Sequence, residues 1–305
     1  MVYTLTLNPS VDYYVSIPDG IRPGMLNRSR EDAVCFGGKG INVSRVLREL
    51  GIENAALGFV AGFTGNALEE ALRADGMDTR FVHTQGLTRI TVKVKGGDET
   101  EINGCGTEVS REEVERLYEM LEGLETGDIL ILSGSLPRGM ASDSYGKILQ
   151  RLAGRGIEAV VDASGDALGS TLAYRPFLVK PNQQELGAFF GRDLSDSGQV
   201  EACARELQRL GARNVLVSMA GEGAVLVDET GRCRHFPAPA GQPISSIGAG
   251  DSMVAGFLAG WLRTGCYTEA LKLGIAAGSA TAFSMGIARA DMIRRVRESM
   301  DSGNS

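Results

Sequence analysis

The chain is poor in the side chains that most often carry metal or nucleophile chemistry. Its 305 residues include two histidines, His83 and His235, and five cysteines, with no Cys-x-x-Cys pair among Cys35, Cys105, Cys203, Cys233 and Cys266. The spacing speaks against a zinc or dithiol motif. An odd set of scattered thiols reads as small buried hydrophobes. Two isolated histidines leave few candidates for a Ser-His-Asp or multi-histidine centre, and both are read as structural. Proline is sparse, at 9 residues, and no low-complexity linker or internal repeat interrupts the chain. No run approaches the about 18 apolar residues of a membrane span; the most apolar C-terminal stretch is broken by Lys272. The opening MVYTLTLNPS has no basic region and carries Pro9 too early for a signal peptide. The expectation is a soluble, cytoplasmic protein. A basic excess is missing too: 31 basic against 38 acidic side chains leave a net charge of -7. Nucleic-acid binding normally shows a basic footprint, so neither nucleic acid nor membrane is an expected partner. An anion would bind only where local donors outweigh the global field.

What the chain does have is 43% apolar residues and 41 glycines. Short apolar runs alternate with helix-periodic ones. Val2–Leu7, Ala56–Val60, DILIL at 128–132, Ala159–Asp162 and Phe177–Val179 read as strands. Val43, Val46, Leu47 and Leu50 recur at helical spacing. Ser110 with Glu113 forms a capping box that opens a helix to about Leu124. Val215–Ser218 and Ala224–Val227 flank a glycine-bearing turn and read as a hairpin. Three helices, from about Gly250, Thr268 and Ala290, close the chain. The alternation argues for an α/β fold on a doubly wound, mostly parallel sheet. Two segments, about 12–36 and 88–106, are strand-rich without helices and are expected to form a small β-sheet lid. Within the second, Arg89–Lys95 alternates strictly, with Ile90, Val92 and Val94 on one face and Thr91, Lys93 and Lys95 on the other.

Four motifs carry the chemistry. Gly248-Ala249-Gly250-Asp251 leads into an apolar-periodic helix. Glycine lets backbone amides approach an anion, and a helix start adds free donors and positive partial charge. Asp251 in the first turn either accepts a proton from an attacking hydroxyl or simply caps the helix. Gly37-Gly38-Lys39-Gly40-Ile41-Asn42 is a second glycine turn into a helix, with a cation added. It is not a Walker A loop, because no Ser/Thr follows the lysine. Lys180-Pro181-Asn182-Gln183-Gln184-Glu185 is a strand end running into a helix. Asn182 and Glu185 share one face there; they are either a plain helix start or hard oxygen ligands for Mg²⁺ held mostly through water. Asn8-Pro9-Ser10-Val11-Asp12 follows the first strand, where α/β sheets bind ligands; Asp12 either accepts sugar hydroxyls or makes an Asx turn. Arg89 opens the presumed lid strand and is either a phosphate contact or a solvated cation. Ser133-Gly134-Ser135 also follows a strand and is expected to line the same crevice.

In their order along nearly the whole chain, NPSVD, GGKGIN, TRITVKV, SGSLP, KPNQQE and SIGAGDSMVAG resemble the ribokinase-like PfkB family of sugar kinases. GGKGINVSRVLRELG and Glu99–Gly104 are most similar to members acting on fructose 1-phosphate, with tagatose 6-phosphate kinases next. The resemblance implies one ribokinase-like kinase domain over 1–305, often paired as a homodimer. It implies ATP-dependent phosphorylation of fructose 1-phosphate at the 6-hydroxyl, or of tagatose 6-phosphate or another sugar. Asp251 is then the catalytic base, and Gly248, Ala249 and Gly250 the anion hole. Asp12, Gly37, Gly38, Lys39, Asn42, Arg89 and Ser135 hold the phosphosugar. Lys180, Asn182, Glu185, Ser218, Gly221 and Gly223 face ATP and its Mg²⁺. Some relatives bind K⁺ around positions matching Ser245, Ile247, Thr281, Ser284 and Gly286; the polar residue expected nearby is absent at Ala288, which leaves K⁺ open. A non-enzymatic alternative is a sugar-phosphate sensor that binds without transferring.

Overall fold

A computed structural model describes residues 1–96 and 100–302; of the Glu99–Gly104 motif, Glu99 lies outside them. Nine strands form one sheet and four another. In chain order the elements are β1 (Val2–Thr6), β2 (Ser10–Ser16), β3 (Glu31–Gly37), α1 (Lys39–Glu49), β4 (Asn54–Ala61), α2 (Gly62–Ala74), β5 (Asp78–Thr84), β6 (Arg89–Lys95), β7 (Thr100–Asn103), α3 (Arg111–Leu121), β8 (Ile129–Ser133), α4 (Ser144–Leu152), β9 (Glu158–Asp162), α5 (Gly165–Gly169), β10 (Leu178–Val179), α6 (Gln183–Phe190), α7 (Ser197–Arg209), β11 (Asn214–Ser218), β12 (Ala224–Val227), β13 (Cys233–Phe236), α8 (Ala249–Thr264), α9 (Tyr267–Ala282) and α10 (Ala290–Ser302).

The large sheet runs β13-β12-β11-β10-β9-β8-β1-β4-β5. It is parallel from β5 through β11 and ends in the antiparallel hairpin β11–β12 with β13 beside it. The chain leaves β1 toward β4 and β5, then returns to β1's other side with β8. That reversal opens a crevice at the carboxyl ends of the strands.

Alternation decides which side chain meets which layer. In β8, Ile129 and Ile131 pack against α1, α8 and α9, whereas Leu130 and Leu132 pack against α3 and α4. In β9, Val160 faces the first layer and Val161 the second; in β10 the same holds for Leu178 and Val179. Continuing the parity carries Thr6, Ser133, Asp162 and Lys180 onto the face covered by α1 and α8. Both helices begin just above them. On α1, the predicted stripe Val43, Val46, Leu47 and Leu50 is buried; full burial of such a side chain stabilises by roughly 1.5–3 kcal/mol. Ser110 and Glu113 form the expected capping box at α3.

The small sheet has the order β3-β2-β6-β7, built from the two segments expected to leave the core. It is mixed, since β2 and β6 run parallel while β3 and β7 pair antiparallel. Its faces reverse the ordinary meaning of the alternation. Thr91 and Lys93 are buried, whereas Ile90 is 42% exposed. Over 90–93 the polar face is turned inward, although Val94 is buried and Lys95 exposed at the strand's end, and an apolar row of Val34, Tyr13, Val92 and Ile102 crosses the outward face in register. The cysteines also depart from expectation: only Cys203 is buried, while Cys35, Cys105 and Cys266 are exposed. β5 and β13, edge strands with few apolar residues, carry little sequence signal of their own. Among the described residues no helix is long and apolar enough to cross a membrane.

Candidate active site

Asp251 stands in the first turn of α8. Gly248 precedes the helix in the left-handed region, at φ 77°. A Cβ there would press on the tip of the Ile287 side chain at 2.6 Å, and the left-handed backbone itself favours glycine. Ala249 N–H is engaged by the Ser246 carbonyl at 3.3 Å. The amides that the first turn presents outward are therefore those following it, at Gly250 and Asp251.

The Asp251 carboxylate is buried and accepts a hydrogen bond from Asn42 Nδ2 of α1 at 2.8 Å. Two motifs separated by about two-thirds of the chain thus meet at one oxygen. Lys39, from the start of α1, and Lys180, from the end of β10, both place Nζ 3.3 Å from Asp162 Oδ1. Lys180 also lies against α8, since a methyl at Gly250 would come within 3.3 Å of its Nζ.

Asp162 is the residue that motif reading did not single out. It ends β9, and its position at a strand's carboxyl end on the α1/α8 face was the available signal. It is fully embedded and keeps Oδ2 without a hydrogen-bond partner among the described residues. Thr6 Oγ1 and Ser133 Oγ are buried and unpartnered in the same way. The three are neighbours in register across β1, β8 and β9. Together they form a polar floor under two helix N-termini.

Charge is distributed unevenly over this floor. Burial pushes the Asp251 carboxyl up to about 6, with the like charge of Asp162 adding to the shift, while the Asn42 bond and the two lysines oppose it. Burial acts on Asp162 in the same direction, but Lys180 and Lys39 outweigh it and hold that carboxyl below the ordinary range. Lys39 is held above the ordinary lysine range because Asp162, Asp251 and Glu185 outweigh its own burial. One carboxyl is held charged as a counter-ion and the other is pushed toward neutrality, a division of the kind that acid–base chemistry uses.

The remaining expected positions fall around this centre. Asp12, buried on the inward face of the small sheet, accepts from Ser10 Oγ at 2.6 Å and from Lys93 Nζ at 3.0 Å. Gly37 packs so closely that a Cβ would lie 3.1 Å from Asp12 Oδ2. Gly38, at φ 135°, precedes α1. Arg89 donates to the Asn8 carbonyl at 3.2 Å and to Asn103 Oδ1 at 3.3 Å. Asn182 and Glu185 bond to each other's backbone amides as a capping box at α6, at 2.7 and 2.9 Å. Ser218 ends β11 beside Asn182; Gly221 and Gly223 lie in the turn that follows. Ser135 is exposed on the loop after β8. Among the described residues, no group of three or more His, Cys, Asp or Glu side chains forms a metal cage.

The family model described as pfkB family carbohydrate kinase matches residues 5–292. The chain belongs to the pfkB family of carbohydrate kinases. Among its curated relatives is a 1-phosphofructokinase of Bacillus subtilis, 44% identical over 297 residues that span 97% of each chain. A D-tagatose-1-phosphate kinase of Bacillus licheniformis is 37% identical over 94% of each. The Escherichia coli phosphofructokinase-2, solved in complex with substrates and products, superimposes with a TM-score of 0.93 at 32% identity, covering 98% of this chain and 99% of that one. An Arabidopsis thaliana ribokinase, at 18% identity and a TM-score of 0.78, shares the fold. This pfkB-family kinase therefore has the ribokinase-like architecture expected of its motifs: a large, mostly parallel sheet with a smaller one beside it. The tagatose kinases among these relatives are named for the 1-phosphate, whereas the motifs suggested a 6-phosphate enzyme as the alternative.

Proposed function

We propose that the protein transfers the γ-phosphoryl group of ATP to the 6-hydroxyl of fructose 1-phosphate. The observation that carries the reading is the buried Asp251 at the start of α8, beside Lys180 and Lys39, on a chain 44% identical to a 1-phosphofructokinase. Asp251 takes the proton from the acceptor hydroxyl as it attacks the γ-phosphorus. The transition state spreads negative charge over the phosphoryl oxygens, so positioning and opposing positive charge do most of the work. The outward amides of Gly250 and Asp251 at the start of α8 supply that charge, with Gly248 shaping the turn and the Ala249 amide, expected in the anion hole, turned to the Ser246 carbonyl instead; Lys180 adds a cation.

Asp12, Gly37, Gly38, Lys39 and Asn42 receive the sugar, and Arg89 presents its planar fork to the phosphate. Ser135 lines the crevice mouth. Ser218, Gly221 and Gly223 face the nucleotide. Mg²⁺ fits the chemistry of the donor set: Glu185 commits Oε2 to the Asn182 amide, leaving Oε1 for a hydrated cation, and the cation neutralises phosphate charge when bound. Asn182 and Glu185 would hold it through water. No step is assigned to K⁺.

The small sheet acts as a lid that excludes water from the transfer. Its outward face leaves Ile102 58% and Val34 55% exposed, an open apolar surface suited to a second copy of the chain; we read the protein as a cytoplasmic homodimer.

A coupled ADP-release assay tests the reading across fructose 1-phosphate, tagatose 1-phosphate, tagatose 6-phosphate, fructose 6-phosphate and ribose. Fructose 1-phosphate is expected to give the highest kcat/KM. Fructose and tagatose differ only at C4, so tagatose 1-phosphate is the nearest competitor. Tight phosphosugar binding without ADP release would replace the kinase with a sensor.

A further inference from the structure

On the inward face of the small sheet, one lysine is placed where lysines are rarely found. Lys93 is 8% exposed, and a buried ammonium persists only when its donors are satisfied. A lysine has three. Here two of them meet Asp12 Oδ2 at 3.0 Å and Tyr14 OH at 3.4 Å, and the Glu101 carboxylate lies 3.9 Å away as a looser ion pair. The ammonium also lies 5.1 Å from the Tyr14 ring centroid. Burial alone would lower its proton affinity; the bond to Asp12 outweighs it and keeps the group charged.

Asp12 is correspondingly pinned. Ser10 holds Oδ1, Lys93 holds Oδ2, and Gly37 closes the third side. On the same face, Arg89 is tied through Asn103 Oδ1 to Thr91 Oγ1, which sits opposite Asp12 in register. Arg89 and Lys93 are four residues apart on one strand, about 13 Å, and Asp12 lies between their levels. The face thus offers an anion-binding fork at one end and a preset carboxylate beyond it.

We propose that Lys93 is a positioning residue for the sugar acceptor, fixing the Asp12 carboxylate at the orientation in which it takes acceptor hydroxyls. This rests on the reading that Asp12 contacts the sugar of a phosphoketose. Lys93 itself touches no reacting atom; it sets acceptor affinity through Asp12. Preorganisation of this kind lowers what binding must give up in ordering the site.

The test is steady-state kinetics on the full-length protein with fructose 1-phosphate and ATP varied separately. Wild type is measured first. Lys93→Met is expected to raise KM for the phosphosugar by about 10–100-fold, the effect of losing a charge-assisted hydrogen bond, with KM for ATP unchanged within about twofold. Lys93→Arg should recover part of the loss. Asp12→Asn combined with Lys93→Met should be no worse than Asp12→Asn alone, because the lysine acts through that carboxylate. The double variant also leaves no unpaired buried charge, so it reports even if Lys93→Met folds poorly. A wild-type phosphosugar KM in Lys93→Met, equal rises in both KM values, or losses additive with Asp12→Asn would each overturn the assignment. If wild type phosphorylates none of the phosphosugars, the proposed function itself fails, a result distinct from an active wild type that is indifferent to Lys93.

Discussion

Replacing Asp251 by Asn should cost activity and increase stability, because one burial causes both effects. The carboxyl is raised from its ordinary value to about 6, which disfavours the charged form in the folded protein by about 3 kcal/mol. The sign follows from linkage: between pH 4 and 6 the folded state holds a proton that the unfolded state has lost, so wild-type stability falls across that window and levels off above it. Asparagine mimics the protonated side chain at every pH and keeps an oxygen for Asn42. Asp251→Asn should therefore gain about 3 kcal/mol over wild type at pH 7 and nothing at pH 4 and below. Turnover should fall by roughly 10²–10⁴-fold, the usual contribution of a general base. Wild-type kcat/KM should follow an acid limb with a midpoint near 6, retaining about a tenth of its plateau at pH 5. Urea denaturation at pH 4 and 7, with ADP release from pH 5 to 8, measures all three. Near-normal turnover in Asp251→Asn would refute the proton-transfer role, and a loss of stability at pH 7 would refute the electrostatic account of the site.

Other perturbations separate the parts of the site. Asp162→Asn removes the like charge facing Asp251 and leaves Lys39 and Lys180 to act on it, so the acid limb of kcat/KM should move below pH 6; an unmoved or upward-shifted limb in the pH profile contradicts this. Arg89→Ala should raise KM for the phosphosugar about 10–100-fold, as expected for a lost charged contact, with KM for ATP unaffected. Ser110→Ala, far from the crevice at the start of α3, should lower stability by about 0.5–2 kcal/mol in urea denaturation and leave kcat unchanged.

Much of this molecule is readable locally, and its particular residues show where local reading stops. The glycine turn before Asp251 is legible because its requirement is local: a left-handed residue at 248, then an acid in a helix's first turn. The stripe on α1 is legible because helical spacing needs no partner to be seen. Asn182 and Glu185 were ambiguous for the same reason. Their spacing suits both a capping box and an open carboxylate, and both readings use the same atoms; the structure shows the capping bonds and leaves one Glu185 oxygen for other use. Lys93 shows a different limit. Period two separates Thr91 and Lys93 from Ile90 and Val92, but it does not say which set meets the protein. Asp162 closes an apolar strand like many others and acquires meaning only from the two lysines converging on it.

The amino-acid order alone determined the layer architecture, the glycine turns, the small sheet's two segments and the acid at α8, because each depends on periodicity or on backbone freedom within a few residues. Tertiary structure decided everything that joins distant segments: Asn42 on Asp251, Lys39 and Lys180 on one oxygen of Asp162, Lys93 on Asp12. Electrostatic character belongs to this second group, since a carboxyl's proton affinity depends on the charges and water around it, and these are set only when the strands and helices meet.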